Sequence, residues 1–245
     1  MRRHFDDSLT VVDIGRSAAR RAGDRQTHGV LGLLLAMALS EHGRWVDAER
    51  ESVAAQGEFR LDGDINGVVA ASTSLALIAR RLDTPPTPYE RLEPVIAEID
   101  QLTDRGLRAF ALRALGQAYV EVGRLLDADD AYTKSLATYR TIDAPIGECQ
   151  ALVYQGRLLL ELGDIERAAA QFGEALTIVR DLGDVSGVAQ CLRGLAAADR
   201  ARGDLAAARA RLSEALELVR QPKPTFAEEW VIGDLKQLDL LDSAT

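Results

Sequence analysis

The sequence predicts an all-α chain in which antiparallel helix pairs stack as an α-solenoid of about five units with a helix at either end. Three observations carry this: one fixed period, two turn markers inside each period, and small residues at set places between them. Glu161-Leu162-Gly163-Asp164 is preceded forty residues earlier by Glu121-Val122-Gly123-Arg124 and followed forty later by Ala201-Arg202-Gly203-Asp204. Arg81-Leu82-Asp83-Thr84 and Glu41-His42-Gly43-Arg44 extend the series without insertion. Self-similarity at a fixed period of this length is the mark of a stacked repeat.

The second marker lies half a period away, at Gly23-Asp24, Gly63-Asp64, Thr103-Asp104 and Gly183-Asp184, with Asp143-Ala144 as its degenerate member. A glycine after a helix supplies the left-handed residue of a C-terminal turn, and the aspartate behind it can accept from free amides of the next helix. Arg60, Arg140, Arg180 and Arg220 precede these markers, where a cation suits the end of a helix dipole. In chain order this gives a leading helix over 6–22, then repeats over 29–68, 69–108, 109–148, 149–188 and 189–221, and a closing helix over 225–242, all in a single domain. The incomplete leading unit points to excision from a longer chain, with natural capping as the alternative.

Within each unit Ala36, Ala76, Gly116, Gly156 and Ala196 mark the first helix, and Ala48, Ala128, Ala168 and Ala208 the second. Small side chains there let the two helices approach closely. Leu35, Leu75, Leu115 and Leu195, then Tyr132, Phe172 and Leu212, and then Leu136, Leu176 and Leu216 recur at helical spacing as the core around them. The second unit is degenerate. Thr84-Pro85-Pro86-Thr87-Pro88 delays its second helix to near Tyr89, with Leu92, Val95 and Ile96 keeping the apolar register. In the fifth unit Asp199 stands where Leu39, Tyr119 and Leu159 stand elsewhere, which predicts partly wet packing. Trp230, Ile232, Leu235, Leu238 and Leu241 give the closing helix its apolar face, and Pro222 and Pro224 set it apart.

Composition removes several function classes. With 245 residues and 47% hydrophobic content the chain buries a substantial core, and a formal charge of -9 supplies no bulk basic footprint for nucleic acid. The apolar run Val30–Leu39 is broken by Gly32 and too short for a bilayer, and the first seven residues hold no apolar signal core. His4, His28 and His42 crowd one end, beside no nucleophile elbow, phosphate loop or metal spacing. The reading is therefore non-enzymatic, with no catalytic residue, cofactor or metal. Cys149 and Cys191 argue against a disulfide scaffold and fit a reducing cytoplasm; their places near the starts of neighbouring first helices allow proximity, a disulfide or redox sensing, though a buried apolar role is the commoner one.

A small residue, then Gly, Ala and an aromatic or Leu in this order resembles the tetratricopeptide repeat, in a form longer than usual. The string Ile178-Val179-Arg180-Asp181-Leu182-Gly183-Asp184-Val185-Ser186-Gly187-Val188-Ala189 is similar to the linking segment of the kinesin-light-chain type, and resembles the C-terminal arrays of actinobacterial SARP and STAND regulators. The resemblance implies a right-handed superhelix whose first helices line a concave groove. Carried onto this chain, the groove residues are Arg80, Arg113, Gln117, Glu121, Gln150, Tyr154, Arg157, Arg193 and Arg200, with Phe110, Arg81, Glu161 and Gln190 beside them and the more apolar Leu33, Met37 and Ser40 in the first unit. The family's Lys and Asn clamp for peptide carboxylates is missing.

Arg pairs with carboxylate or phosphate and Gln with peptide amides, so such a groove suits an extended, partly acidic peptide. The competing reading is that these arginines pair with Glu121 and Glu161 and only solvate the groove. The functional expectation is an interaction or sensor domain of a bacterial transcriptional or signalling regulator, with a protein, a peptide or other domains of that regulator as partner and neither nucleic acid nor membrane. A small-molecule receptor or unorthodox enzyme in the same cavity is the alternative. A third reading is an oligomerisation scaffold, a homodimer paired through the Trp230 helix.

Overall fold

A computed structural model describes residues 2–83, 85–220 and 226–242, with side chains over 11–83, 85–220 and 228–241. The expected Pro222 and Pro224 break lies outside these residues, as do the side chains of His4 and Ala227. Among the described residues every regular element is helical. The chain divides into two compact units, Met1–Arg124 and Leu125–Thr245.

In the first unit α1 (Arg2–Ala22), α2 (Arg25–Glu41), α3 (Trp45–Asp62) and α4 (Ile65–Leu82) pack in sequence. The short α5 (Pro88–Leu92), a 3₁₀ turn over Glu93–Val95 and α6 (Ile96–Ile99) take the place of one second helix, and α7 (Arg105–Glu121) follows. The second unit holds α8 (Leu125–Thr141), α9 (Pro145–Glu161), α10 (Ile165–Asp181), α11 (Val185–Ala201), α12 (Leu205–Val219) and α13 (Phe226–Asp242), each packed on the next. First helices also meet directly, α4 with α7, α9 with α11 and α11 with α13. This is the helix-pair packing of an all-α solenoid.

The turn chemistry follows the markers. Gly23, Gly43, Gly63, Gly123, Gly163, Gly183 and Gly203 all have φ between 68° and 83°, and Asp83 and Asp143 occupy the same left-handed place at 51° in the degenerate members. The next amide then closes back on the helix, as from Asp164 to the Leu159 carbonyl at 2.9 Å and from Arg124 to that of Tyr119 at 2.8 Å. Asp24, Asp64, Asp104, Asp164, Asp184 and Asp204 each accept from the amide three residues on, at 2.9–3.3 Å. A side-chain cap of this kind is worth about 1 kcal/mol.

Ala36, Ala48, Ala76, Ala128, Ala168, Ala196 and Ala208 are at most 3% exposed, and Gly116 and Gly156 are buried with them. Leu35, Ala36, Leu39, Ala48 and Ile78 form one core cluster, while Ala55, Phe59 and Ala71 form another against which Leu33 packs. Leu33 is half-buried against this second cluster. Pro88 takes the buried place of the usual alanine, and Thr87 caps it in a capping box with Glu90. Pro94 then breaks the helix, so Leu92, Val95 and Ile99 carry the buried register across a 3₁₀ turn, with Ile96 only half-buried.

Two features depart from the sequence reading. Asp199 is buried and paired instead of partly wet: its oxygens accept from Arg202 Nη1 at 3.1 Å and Arg211 Nε at 2.5 Å, two arginines that stay partly exposed. The arginines closing second helices bind carboxylates of the next unit as well as facing the dipole. Arg140 reaches Glu148 at 2.8 Å and also Glu174, Arg180 reaches Glu214 at 2.8 Å, and Arg220 reaches Glu228 at 3.0 Å. Just beyond, a glycine early in the following first helix receives a side chain from the helix before it: Phe59 over Gly67, Tyr139 over Gly147 and Val179 over Gly187. A Cβ on the first two would come within 2.2 and 2.3 Å of the ring.

Helix α13 sits where a further first helix would, burying Val231 and Leu238. Trp230, Leu235 and Lys236 lie forty residues beyond Gln190, Leu195 and Ala196, so a lysine replaces the small residue.

Candidate functional site

The expected site residues fall into three groups, one in the first unit and two in the second. In the first, Arg80 at the end of α4 donates from Nε to Glu121 Oε1 at 2.5 Å and from Nη1 to Gln117 Oε1 on α7. Gln117 and Arg113 are 3% and 6% exposed, and the Arg113 guanidinium lies 5.3 Å from the Phe110 ring centre. Arg80 thus ties α4 to α7 from an exposed position with Glu121, while Gln117 and Arg113 sit inside the fold. Arg81 instead covers the Trp45 ring at 5.7 Å. Met37 is exposed, and Ser40 spends its hydroxyl on the Ala36 carbonyl at 2.8 Å.

In the second unit Tyr154 of α9 stacks on Tyr132 of α8, centroids 6.2 Å apart, and the exposed Arg157 lies over the Tyr154 ring at 5.7 Å. The neighbouring Gln155, which the sequence reading passed over, is a buried hub: it donates to Asp129 at 2.8 Å and Thr133 at 3.0 Å and accepts from Gln171. Its hydrogen-bonding capacity is consumed by the scaffold, joining α8, α9 and α10.

The third group lines a cleft of about 490 Å³ bordered by α9, α11 and α13. Gln150, Gln190 and Trp230 stand on its walls with Arg193, while Asp184 and Ser186 edge it at the start of α11 and Cys149 lies in its lining. Gln150, Gln190 and Trp230 are spaced by forty residues, so the cleft repeats one register position across three helices. That arithmetic was available in the sequence, but Trp230 reads there as part of an end helix. Arg193 donates from Nε to Asp234 Oδ2 at 2.5 Å and lies 5.6 Å from the Trp230 ring centre. Arg200 reaches Gln237 Oε1 at 3.4 Å.

Arginine pairing thus follows one rule in both units: Arg80 and Arg193 meet a carboxylate forty-one residues ahead, Arg80 and Arg200 a glutamine thirty-seven ahead. Glu121 serves as such a partner, whereas Glu161 is exposed on its helix. Under the cleft Cys149 and Cys191 are both buried and free, and the two thiols interact electrostatically. The Cys191 S–H holds the Cys149 thiol below its ordinary value against burial and the charges of Asp184 and Glu148; the adjacent sulfur and burial push Cys191 up. Among the described residues no group of three or more His, Cys, Asp or Glu is placed to hold a metal ion, and no helix is long and apolar enough to cross a membrane.

Residues 147–221 match a family model, tetratricopeptide repeat. The match covers two helix pairs, α9 to α12, of the second unit. No curated protein matches the sequence. Among solved structures it is similar to BtubC (BKLC) from P. vanneervenii, at 18% identity and a TM-score of 0.74 over 90% of this chain and 94% of that one. A thermophilic TPR protein of Thermus thermophilus aligns at 19% identity and 0.59, over 84% of this chain and 98% of its own. A STAND protein with a tetratricopeptide repeat sensor from Pyrococcus horikoshii aligns at 13% identity and 0.64, over 98% of this chain and 40% of that one. Likeness at these identities establishes the fold alone.

Proposed function

We propose that this chain is the non-catalytic interaction or sensor part of a bacterial regulator, and that an extended peptide from a partner protein, or from another domain of that regulator, lies in the cleft of the second unit. The row Gln150, Gln190 and Trp230 is the observation that carries the reading. Helices in contact lie about 8–10 Å apart, roughly three residues of extended chain. Two carboxamides and an indole at that interval present donor, acceptor and apolar surface to successive stretches of one peptide backbone. Arg193 is bound to Asp234 and Arg157 lies on Tyr154, so both cations are held in place before a ligand arrives and suit an acidic side chain. The STAND neighbour supplies the precedent of tetratricopeptide repeats as a sensor, and the acidic net charge disfavours direct contact with nucleic acid. The unit would act in the cytoplasm.

The cleft volume also lies in the range of small-molecule sites, about 300–1,000 Å³, which favours a metabolite sensor as the second reading. One experiment separates them. The intact chain and its Gln150→Ala/Gln190→Ala/Arg157→Glu variant are used to capture proteins from source-cell lysate, and synthetic peptides from the captured protein are titrated against both. Binding of one peptide to the wild type, weakened at least about tenfold in the variant, supports the groove; capture equal in both refutes it. Arg113 is left intact because reversing a buried charge would disturb folding.

A further inference from the structure

Cys149 and Cys191 are the two cysteines of the chain, on first helices that pack directly against each other. Cys149 lines the cleft at 7% exposure, and Cys191 is 0% exposed behind it. Two interacting thiols on packed helices, one opening on a solvent-accessible cleft and one sealed, have the arrangement of an attacking and a resolving cysteine. We propose that the pair is a peroxide-oxidisable dithiol whose disulfide joins α9 to α11 beneath the cleft.

The chemistry balances without any further reactant. The Cys149 thiol loses its proton and its sulfur attacks a peroxide oxygen; the O–O bond breaks, leaving Cys149 as a sulfenic acid and releasing hydroxide, which takes up that proton as water. The Cys191 sulfur then attacks the sulfenyl sulfur, the S–O bond breaks, and the departing hydroxide leaves with the Cys191 proton as a second water. Two thiols are oxidised by two electrons and one hydrogen peroxide is reduced to two waters.

Geometry assigns the order of events. Peroxide reaches Cys149 through the cleft, where the Cys191 S–H favours the thiolate. Asp184 and Glu148 oppose that charge and Arg157 favours charge at Cys191, so the site is balanced and not strongly activated. An S–S bond of about 2.05 Å would tie α9 to α11. It would close a ring enclosing all of α10 and fix the wall that carries Gln150 against the wall that carries Gln190.

The test uses the intact chain. Reduced protein is exposed to a small excess of hydrogen peroxide, quenched with N-ethylmaleimide under denaturing conditions and weighed by mass spectrometry. The expected result is a monomer lighter by two hydrogens that takes up no maleimide and recovers both sites after dithiothreitol. Its thermal midpoint should stand about 5–10 °C above the reduced form. Cys191→Ser, folded by circular dichroism, should stop at a sulfenic acid trapped by dimedone, and Cys149→Ser should consume peroxide at least about tenfold more slowly. Wild-type protein that gains oxygen without losing hydrogen, forms a disulfide-linked dimer, or keeps both thiols alkylatable would overturn the proposal. The wild-type masses decide it even if a serine variant fails to fold.

Discussion

Phe172 is wholly buried between α9 and α11, facing Gly156 on one side and Gly194 on the other. A Cβ added at Gly194 would lie 2.4–2.7 Å from three ring carbons, against an ordinary carbon contact of about 3.5–4.0 Å, and one at Gly156 would lie 2.9–3.1 Å from the far ring edge. The ring has no free side to retreat toward. Gly194→Ala therefore carries an overpacking cost of about 1–3 kcal/mol, while gaining about 1 kcal/mol in helix propensity. Gly173, on the neighbouring α10, meets nothing within 4 Å, so Gly173→Ala collects the propensity gain alone. Subtracting one variant from the other removes the propensity and most of the unfolded-chain entropy, leaving a steric difference of about 1–3 kcal/mol. At about 2–4 °C per kcal/mol for a chain of this size, the midpoints should separate by several degrees, Gly173→Ala above wild type. Thermal unfolding followed by far-ultraviolet circular dichroism gives the midpoints and urea unfolding the free energies, with urea slopes compared because repeat arrays do not always unfold in one step. Phe172→Leu should relieve the clash and bring the two alanine variants together. Equal stabilities of the two single variants, within about 0.5 kcal/mol, would refute the wedge.

Asp199→Ala removes the carboxylate from beneath Arg202 and Arg211 and should cost about 1–3 kcal/mol in the same urea assay, more than alanine at the exposed Asp181. Acid should weaken the fold in a defined direction. Asp24 and Asp47 are held below their ordinary 3.8 by bonds to Thr27 and Arg44, and Glu166 below 4.5 by Arg202, so their contribution is present above those values and is lost as the pH falls through the lower native ones. Thermal midpoints taken downward from pH 6 should fall below about pH 4.5, and a profile flat to pH 2 would contradict the assignment.

Much of the fold was legible because it is written in backbone requirements. A left-handed turn selects Gly, and where Asp83 and Asp143 replace it the backbone keeps the same angle. The period then fixed which residues are core, down to Pro88 in an alanine's seat. Side-chain partnership was less legible. Arg80 and Arg193 read equally well as ligand groups or as paired ones, because the choice depends on a carboxylate from the next first helix and on rotamers. Asp199 looked wet because Arg211 reaches it from the following helix. The break at Pro94 was masked by the prolines before it, and the fit of Phe59 on Gly67 and Tyr139 on Gly147 requires reading across two helices at once. The cleft was spelled out by the spacing of Gln150, Gln190 and Trp230, but that row emerges only when the closing helix is counted in register.

The bond from Arg140 to Glu174 and that from Arg180 to Glu214 are one contact displaced by forty residues. An interface that recurs in this way is a standard joint, and a segment cut from one joint to the next carries a matching half at each end. A gene for such a chain can grow by tandem duplication inside the second unit without inventing a new surface. Helix α13 carries a variant of that joint: Lys236 occupies the seat that small residues hold in the other first helices, so a helix packed there meets a long cationic stem in place of a methyl group.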